Sequence, residues 1–168
     1  MGGEEPRIRI AGAQDDSIVD GRGVRYAVFA QGCPHRCPGC HNPETHDPEG
    51  GRWEAVGALL ESMAVNPLLD GLTLSGGEPF SQAGACAALA RGARSLGLNV
   101  WVYSGYAFEE LIGMGPEARA LLDVCDVLVD GPFVLSERTL EAPFVGSRNQ
   151  RILDLPASLR AGAAVPLG

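Results

Sequence analysis

Val24-Arg-Tyr-Ala-Val-Phe-Ala30 runs directly into Gln31-Gly-Cys33-Pro-His-Arg-Cys37-Pro-Gly-Cys40, and the fold turns on this stretch. Its first half is short, apolar and rich in β-branched and aromatic side chains, which predicts a buried strand. Its second half sets three cysteines as C-x3-C-x2-C among Pro34, Pro38 and Gly39, residues that bend a chain so that three sulfurs converge on one centre. Thiolates are soft ligands suited to iron–sulfur clusters or to zinc, and this group offers three where a closed site takes four. Zinc stays open on these residues alone, with His41 or His46 as a fourth ligand. Zinc sites favour paired C-x2-C units, however, and Cys86 and Cys125 stand singly in helix and strand contexts, where they read as small core residues.

Outward from that stretch the pattern repeats. Arg7 to Ile10 predicts a short edge strand. A loop from Gln31 to about Arg52 carries five Pro and Gly between Gly32 and Pro43, and loops this long in compact domains usually serve function. Trp53, Val56, Leu59, Leu60 and Met63 recur at helical spacing, ending at Asn66-Pro67. Gly71 to Ser75 predicts a strand that meets Gly76-Gly-Glu-Pro79, followed by a helix from Phe80 to Leu96. Leu98 to Tyr103 predicts a third strand, Phe108 to Leu122 a helix broken near Gly113–Pro116, and Asp126 to Asp130 a fourth strand closed by Gly131-Pro132. Phe144 to Leu155 shows little periodicity, and a Gly/Ala/Pro tail follows Leu159. Trp53 and Trp101 are expected in the core.

Alternating apolar strands and helices indicate α/β architecture with parallel units. Ligands in such sheets sit at the carboxyl ends of the strands. The cysteine loop follows the first confident strand, Gly76-Gly77-Glu78 the second, Ser104-Gly-Tyr106 the third and Asp130-Gly-Pro132 the fourth, so one edge is the expected site. Gly76 and Gly77 let backbone approach a ligand closely, although alone Gly-Gly-Glu-Pro is an ordinary strand-to-helix turn. Ser104 and Asp130 could reach a ligand or simply cap turns. Arg148, Asn149 and Gln150 form a late polar cluster that reads equally as solvated loop.

Composition narrows the class. A chain of 168 residues predicts a single domain over residues 1–168, with 1–6 and 160–168 as mobile tails. Hydrophobic residues at 45% and charged residues at 20% are ordinary for a globular protein. A net charge of −8 argues against nucleic acid or an anionic membrane as partner. No apolar run approaches about 18 residues and no signal-peptide pattern appears, so the expected location is cytoplasmic. In that compartment clustered cysteines are metal ligands rather than disulfides.

C-x3-C-x2-C after the first strand, with Leu74-Ser-Gly-Gly-Glu-Pro-Phe80 after the second, resembles the radical S-adenosylmethionine superfamily. The fuller text resembles one member family, the activating proteins of anaerobic ribonucleoside-triphosphate reductase. That likeness is carried by Asp20-Gly-Arg-Gly-Val-Arg25, Phe29-Ala-Gln-Gly-Cys33, Cys37-Pro-Gly-Cys40-His-Asn-Pro-Glu-Thr45, Val102-Tyr-Ser-Gly-Tyr106, Val129-Asp-Gly-Pro-Phe133 and Gly146-Ser-Arg-Asn-Gln-Arg151. It spans about Asp20 to Leu155. Gly39 departs from the superfamily's frequent aromatic residue before the third cysteine, and Arg22 stands where the member family typically has proline.

The resemblance implies a truncated, partly open (β/α) barrel of mostly parallel strands. It implies a 4Fe-4S cluster on Cys33, Cys37 and Cys40, with S-adenosylmethionine on the remaining iron. Cleavage of that cosubstrate by one electron would give a 5′-deoxyadenosyl radical, which would take a hydrogen atom from a glycine of the partner reductase. No catalytic side chain beyond the cluster is required. Candidate cosubstrate contacts are Gly39, Cys40, His41, Gly76, Gly77, Glu78 and Ser104, and candidate partner contacts are Asp130, Arg148, Asn149 and Gln150. Reduced flavodoxin or ferredoxin is the expected electron donor. The rival readings are an activase for another glycyl-radical enzyme such as pyruvate formate-lyase, and a non-catalytic iron–sulfur electron carrier or zinc module.

Overall fold

A computed structural model describes residues 5–35, 37–40 and 43–168. Among these residues seven strands make one sheet: β1 (Arg7–Ser17), β2 (Arg25–Ala30), β3 (Arg52–Ala55), β4 (Gly71–Gly76), β5 (Asn99–Tyr103), β6 (Val127–Asp130) and β7 (Arg151–Asp154). Their order is β3-β1-β2-β4-β5-β6-β7. The pairs β2/β4, β4/β5 and β5/β6 are parallel, whereas β1/β2, β1/β3 and β6/β7 are antiparallel. The expected run of parallel strands therefore describes the centre of the sheet, and the sheet as a whole is mixed. It is also open, with β3 and β7 at its edges.

Among the described residues, five α-helices complete the α/β arrangement: α1 (Val56–Ala64), α2 (Ala83–Ser95), α3 (Phe108–Leu111), α4 (Pro116–Asp123) and α5 (Leu155–Ala161). In α1 the buried residues Val56, Leu59 and Met63 fall on one face. In α2 that face is mostly small, with Cys86, Ala87, Ala90 and Ala93 buried. Gly92 continues this economy, since a Cβ there would come within 2.4 Å of Leu60 on α1. The break expected near Gly113–Pro116 separates α3 from α4: Gly115 sits at φ +105° and Pro116 opens α4.

The two faces of the sheet follow strand periodicity. Val100, Val102 and Leu128 point to the helices and the main core, while Trp101, Val127 and Val129 point the other way, against Phe144, Val145 and Ile152. Arg25 lies fully buried on this second side, its guanidinium 5.4 Å from the Trp101 ring. Its donors go to Thr73 Oγ1 at 2.6 Å and to the carbonyls of Arg22 and Leu72 at 2.8 Å. Burial lowers its pKa to about 10, so it stays a cation at neutral pH.

Four expectations need correction. Trp53 is 51% exposed, because the chain from Arg52 to Ala55 is the edge strand β3 rather than the start of a helix. Its ring instead carries the guanidinium groups of Arg7 and Arg9, each 5.3 Å from the centroid. The edge strand expected over Arg7–Ile10 continues to Ser17 and lies inside the sheet, between β2 and β3. The region from Phe144 to Leu155 contains a true strand, β7, and leads into α5, whose N-cap Asp154 accepts from Ala157 N–H at 3.0 Å. Residues beyond Leu159, expected to be a tail, hydrogen-bond back along β7, with Leu167 N–H donating to Ile152 O at 2.9 Å.

Cys86 and Cys125 are buried in the helix-side core, as expected. Burial pushes the Cys86 thiol up to about 12 and raises that of Cys125 as well. Both stay protonated and shielded at pH 8. Iodoacetamide should therefore modify the three loop cysteines of cluster-free protein at least about tenfold faster than these two, read by mass spectrometry. Equal rates at all five would show that the helix-side core opens. Among the described residues no helix is long and apolar enough to cross a membrane.

Candidate functional site

The carboxyl ends of β2, β4, β5 and β6 come out on the same edge of the sheet, and the segments after them meet there. Gly77 N–H donates to Ala30 O at 2.9 Å and Glu78 N–H to Gly32 O at 2.8 Å, tying the end of β4 to the base of the cysteine loop. Ser104 N–H donates to Val129 O at 2.9 Å, tying β5 to β6. The loop's return limb is held by backbone: Gly32 N–H reaches Thr45 O at 2.6 Å and Cys33 N–H reaches His46 O at 3.2 Å. Gln31, 4% exposed, closes the loop further by donating to Glu44 O at 2.9 Å and Asp47 O at 2.6 Å. Within the loop, Cys40 N–H donates to Cys37 O at 3.1 Å.

These ties place Cys33, Cys37 and Cys40 on one cleft with Gly76, Gly77 and Ser104. His35, His46, Tyr103, Gly131, Phe133 and Gln150 line it too. Among the described residues no three His, Cys, Asp or Glu side chains lie close enough to share a single metal ion. Three thiols around a glycine-walled cleft are soft ligands of the kind an iron–sulfur cluster takes. Gly76 sits at φ +100°, and a Cβ on it would lie 2.6 Å from Ala30 N. A Cβ on Gly77 would lie 2.4 Å from Gly32 O. Backbone, not a flexible side chain, is in the way at both. Gly77→Ala should therefore cost about 1–3 kcal/mol, read as a lower urea midpoint, and should prise β4 from the cysteine loop. An unchanged midpoint would mean the loop moves freely there.

Glu78 is fully buried and does not line the cleft. Its carboxylate accepts from His35 Nε2 at 2.6 Å, Ser104 Oγ at 2.9 Å, Gly105 N–H at 2.8 Å and Phe80 N–H at 3.1 Å. A carboxylate only accepts, so the proton of His35 sits on Nε2. The His35 ring also meets Tyr106 edge-on, with centroids 4.4 Å apart. Glu78 thus joins the cysteine loop to the ends of β4 and β5, and Ser104 is one of its donors.

Asp130, 1% exposed, likewise turns inward. It accepts from Phe108 N–H at 2.7 Å, Arg151 Nε at 2.9 Å and Arg151 Nη2 at 2.5 Å. Arg151 also holds Glu109 at 2.8 Å, which keeps the Glu109 carboxyl below its usual range. Gln150 reaches the cleft while donating to Gly131 O at 3.0 Å. Asn149 does not line the cleft, and Arg148 is exposed and does not line it either. Gly39, at φ +73°, lies under Leu135, whose Cδ1 would be 2.7 Å from a Cβ there. His41 lies outside the described residues.

Gln31 escaped assignment from sequence; His35 was read only as positive charge beside the cysteines, and His46 only as a possible fourth zinc ligand. Gln31 stands directly after a confident strand, a position that commonly anchors the following loop. That His46, thirteen residues downstream of Cys33, lines the cleft had no local signal.

A sequence model of the 4Fe-4S single cluster domain matches residues 19–153. The three-cysteine cleft on the edge of an α/β sheet and this match define the class: an iron–sulfur protein with one cluster domain. Proteins named anaerobic ribonucleoside-triphosphate reductase-activating protein resemble the chain over most of its length. The one from Haemophilus influenzae is 32% identical over 145 residues, covering 80% of this chain and 90% of that protein. The one from Escherichia coli K12 is 33% identical over 143 residues, covering 79% and 90%. Enterobacteria phage T4 has one that is 29% identical over 142 residues, covering 80% and 86%. The chain belongs to the anaerobic ribonucleoside-triphosphate reductase-activating protein family.

Proposed function

We propose that the chain is a radical S-adenosylmethionine activase that generates a glycyl radical on anaerobic ribonucleoside-triphosphate reductase. The observation that carries this is the meeting of Cys33, Cys37 and Cys40 with Gly76 and Gly77 in one cleft. The names of the relatives support the choice of partner. Cys33, Cys37 and Cys40 hold the cluster as thiolates, and three ligands from the chain leave a place for the cosubstrate. When bound, the cluster supplies the electron that splits S-adenosylmethionine into methionine and a 5′-deoxyadenosyl radical, which becomes 5′-deoxyadenosine by taking a hydrogen atom from the reductase glycine.

The chain's own work is binding, orientation and exclusion of water. Gly76 and Gly77 present bare backbone, so the amino-acid end of the cosubstrate can lie close against the end of β4. Gly39 and Cys40 are assigned to its base end, with His41 a candidate from the sequence alone, and Ser104 borders it. Glu78 acts through His35 and Ser104, holding loop and strand ends in register rather than touching the cosubstrate. Electron and hydrogen-atom transfer call for no side-chain acid or base. Asp130, Arg148, Asn149 and Gln150 belong to the side that receives the reductase. On this reading the residues form a single truncated, partly open (β/α) barrel working in the cytoplasm, whose open side admits a loop of the reductase. Reduced flavodoxin or ferredoxin delivers the electron.

Anaerobic reconstitution with iron and sulfide, followed by dithionite and S-adenosylmethionine, should release methionine and 5′-deoxyadenosine. With the reductase present, electron spin resonance should then show a glycyl radical on the reductase. Absence of any cosubstrate cleavage by cluster-loaded protein overturns the reading.

A further inference from the structure

Trp53 keeps its indole half exposed at the edge of the sheet, between two cations. Arg7 and Arg9 fall on one face of β1, and Trp53 pairs with Arg9 across the antiparallel β1/β3 ladder. Among the described residues neither guanidinium makes an ion pair. Arg9 is instead fixed by carbonyls, with Nε donating to Gly50 O at 2.6 Å and Nη2 to Glu49 O. On β3 itself, Arg52 and Glu54 pair with each other at 2.8 Å. In a chain of net charge −8, two cations without a carboxylate partner beside an exposed indole make a local positive, aromatic spot.

That spot borders a hollow of about 380 Å³, which Trp53 and Arg9 line together with Cys33, Pro34, His46 and Pro48. Cys33 and His46 line the cysteine cleft as well, so the two spaces share them as a wall. The cleft is the place assigned to the cosubstrate. A visitor at the hollow therefore meets a cluster thiolate while leaving the cleft free. The rim suits a protein surface better than a small anion, because Arg9 has committed two donors to carbonyls and Arg7 lies exposed.

We propose that Trp53, Arg7 and Arg9 dock an acidic one-electron donor protein, whose redox group faces this hollow and reduces the cluster by way of Cys33. The inference rests on the functional reading above, which puts the cluster on Cys33, and adds where its electron enters. One electron leaves the donor and one reaches the cluster; no bond forms or breaks, and no proton is required. Tryptophan and arginine are the side chains that most often anchor protein contacts. Redox encounters use small interfaces, and charge at the rim of an interface sets how fast the partners meet. The negative chain repels an acidic donor at long range, but salt screens that repulsion over about 8 Å under physiological conditions. At contact the donor's carboxylates face the two guanidinium groups.

The test uses cluster-loaded protein with two probes, an acidic flavodoxin and an acidic ferredoxin. Binding is read by fluorescence anisotropy of the dye-labelled probe. Electron delivery is read in stopped flow as oxidation of the reduced probe, with S-adenosylmethionine present. At low salt, Arg7→Glu and Trp53→Ala should each bind at least one probe about tenfold more weakly and oxidise it about tenfold more slowly. The Arg7→Glu deficit should shrink to about threefold or less in ~0.5 M salt, and Arg7→Lys should stay within about threefold of wild type. Arg119→Glu on α4 changes the net charge equally and should stay within about twofold of wild type. Wild type that binds neither probe, Arg7→Glu that behaves as wild type with both, or equal losses in Arg7→Glu and Arg119→Glu overturns the docking site. Should Trp53→Ala fail to fold by circular dichroism, the two Arg7 variants decide. If wild type cleaves S-adenosylmethionine under dithionite while neither probe depends on Arg7, only the docking site fails. If cluster-loaded wild type leaves S-adenosylmethionine intact under dithionite, the functional reading fails.

Discussion

Cys37→Ala protein, reconstituted anaerobically beside wild type, should lose the broad iron–sulfur absorption and cleave S-adenosylmethionine more than about 100-fold more slowly. Loss of a mere outer-shell partner already costs about 10- to 100-fold in metal affinity or activity, and Cys37 is assigned to the metal itself. With three protein thiolates there is no spare ligand, and the described residues hold no other cysteine on the cleft than Cys33, Cys37 and Cys40. Cys33→Ala and Cys40→Ala should behave alike. Cys86→Ala and Cys125→Ala are the controls, because both thiols lie in the helix-side core away from the cleft. Those two variants should keep cluster content and cleavage, with stability lowered by the small cavity. Turnover near the wild-type rate in Cys37→Ala would remove that residue from the metal, and a different third ligand would then have to be sought.

How far the chain could be read in advance depended on where each residue's partners lie. The central strands β2, β4, β5 and β6 were expected within a residue or two of where they fall. They are buried on both faces, and their apolar runs are bounded by glycine, asparagine or aspartate. The edge strands were not. Arg52-Trp-Glu-Ala55 and Arg151-Ile-Leu-Asp154 are four residues each, with charged groups among them, as edge strands often are. Their pairing with β1 and β6 is a property of the sheet, not of their own periodicity. The polar second half of β1, Ala11 to Ser17, was missed for the same reason.

The site divides along the same line. Three cysteines within one loop declare themselves by spacing, and Gly76-Gly77 by following a strand. The network around Glu78 depends on side chains 43 and 26 positions away, His35 and Ser104. Only the parallel register of β2, β4 and β5 brings them together. Asp130 repeats the lesson: its partner Arg151 is 21 positions on, across the antiparallel β6/β7 pair. Both carboxylates could be placed on the correct edge from sequence, but not turned inward.

That inward turn of Glu78 makes it the most consequential residue outside the loop. Glu78→Ala strips the acceptor from two backbone N–H groups, Phe80 and Gly105, and from the Ser104 hydroxyl. Each buried donor left unmatched costs about 1–3 kcal/mol, so a loss of roughly 3–5 kcal/mol is expected once neighbours relax. That is a large share of the ~5–15 kcal/mol that keeps a typical domain folded. Glu78→Gln keeps the shape and one oxygen but turns an N–H2 toward groups that themselves donate, and should cost about 1–2 kcal/mol. His35→Ala separates the two consequences, because it frees the cysteine loop while leaving the carboxylate its backbone donors. It should lower cluster retention with little change in the urea midpoint, whereas Glu78→Ala lowers both. A Glu78→Ala protein with the wild-type urea midpoint would mean that these hydrogen bonds are not made in solution, and that the loop is held to the sheet by backbone ties such as Gly77 N–H to Ala30 O and Glu78 N–H to Gly32 O.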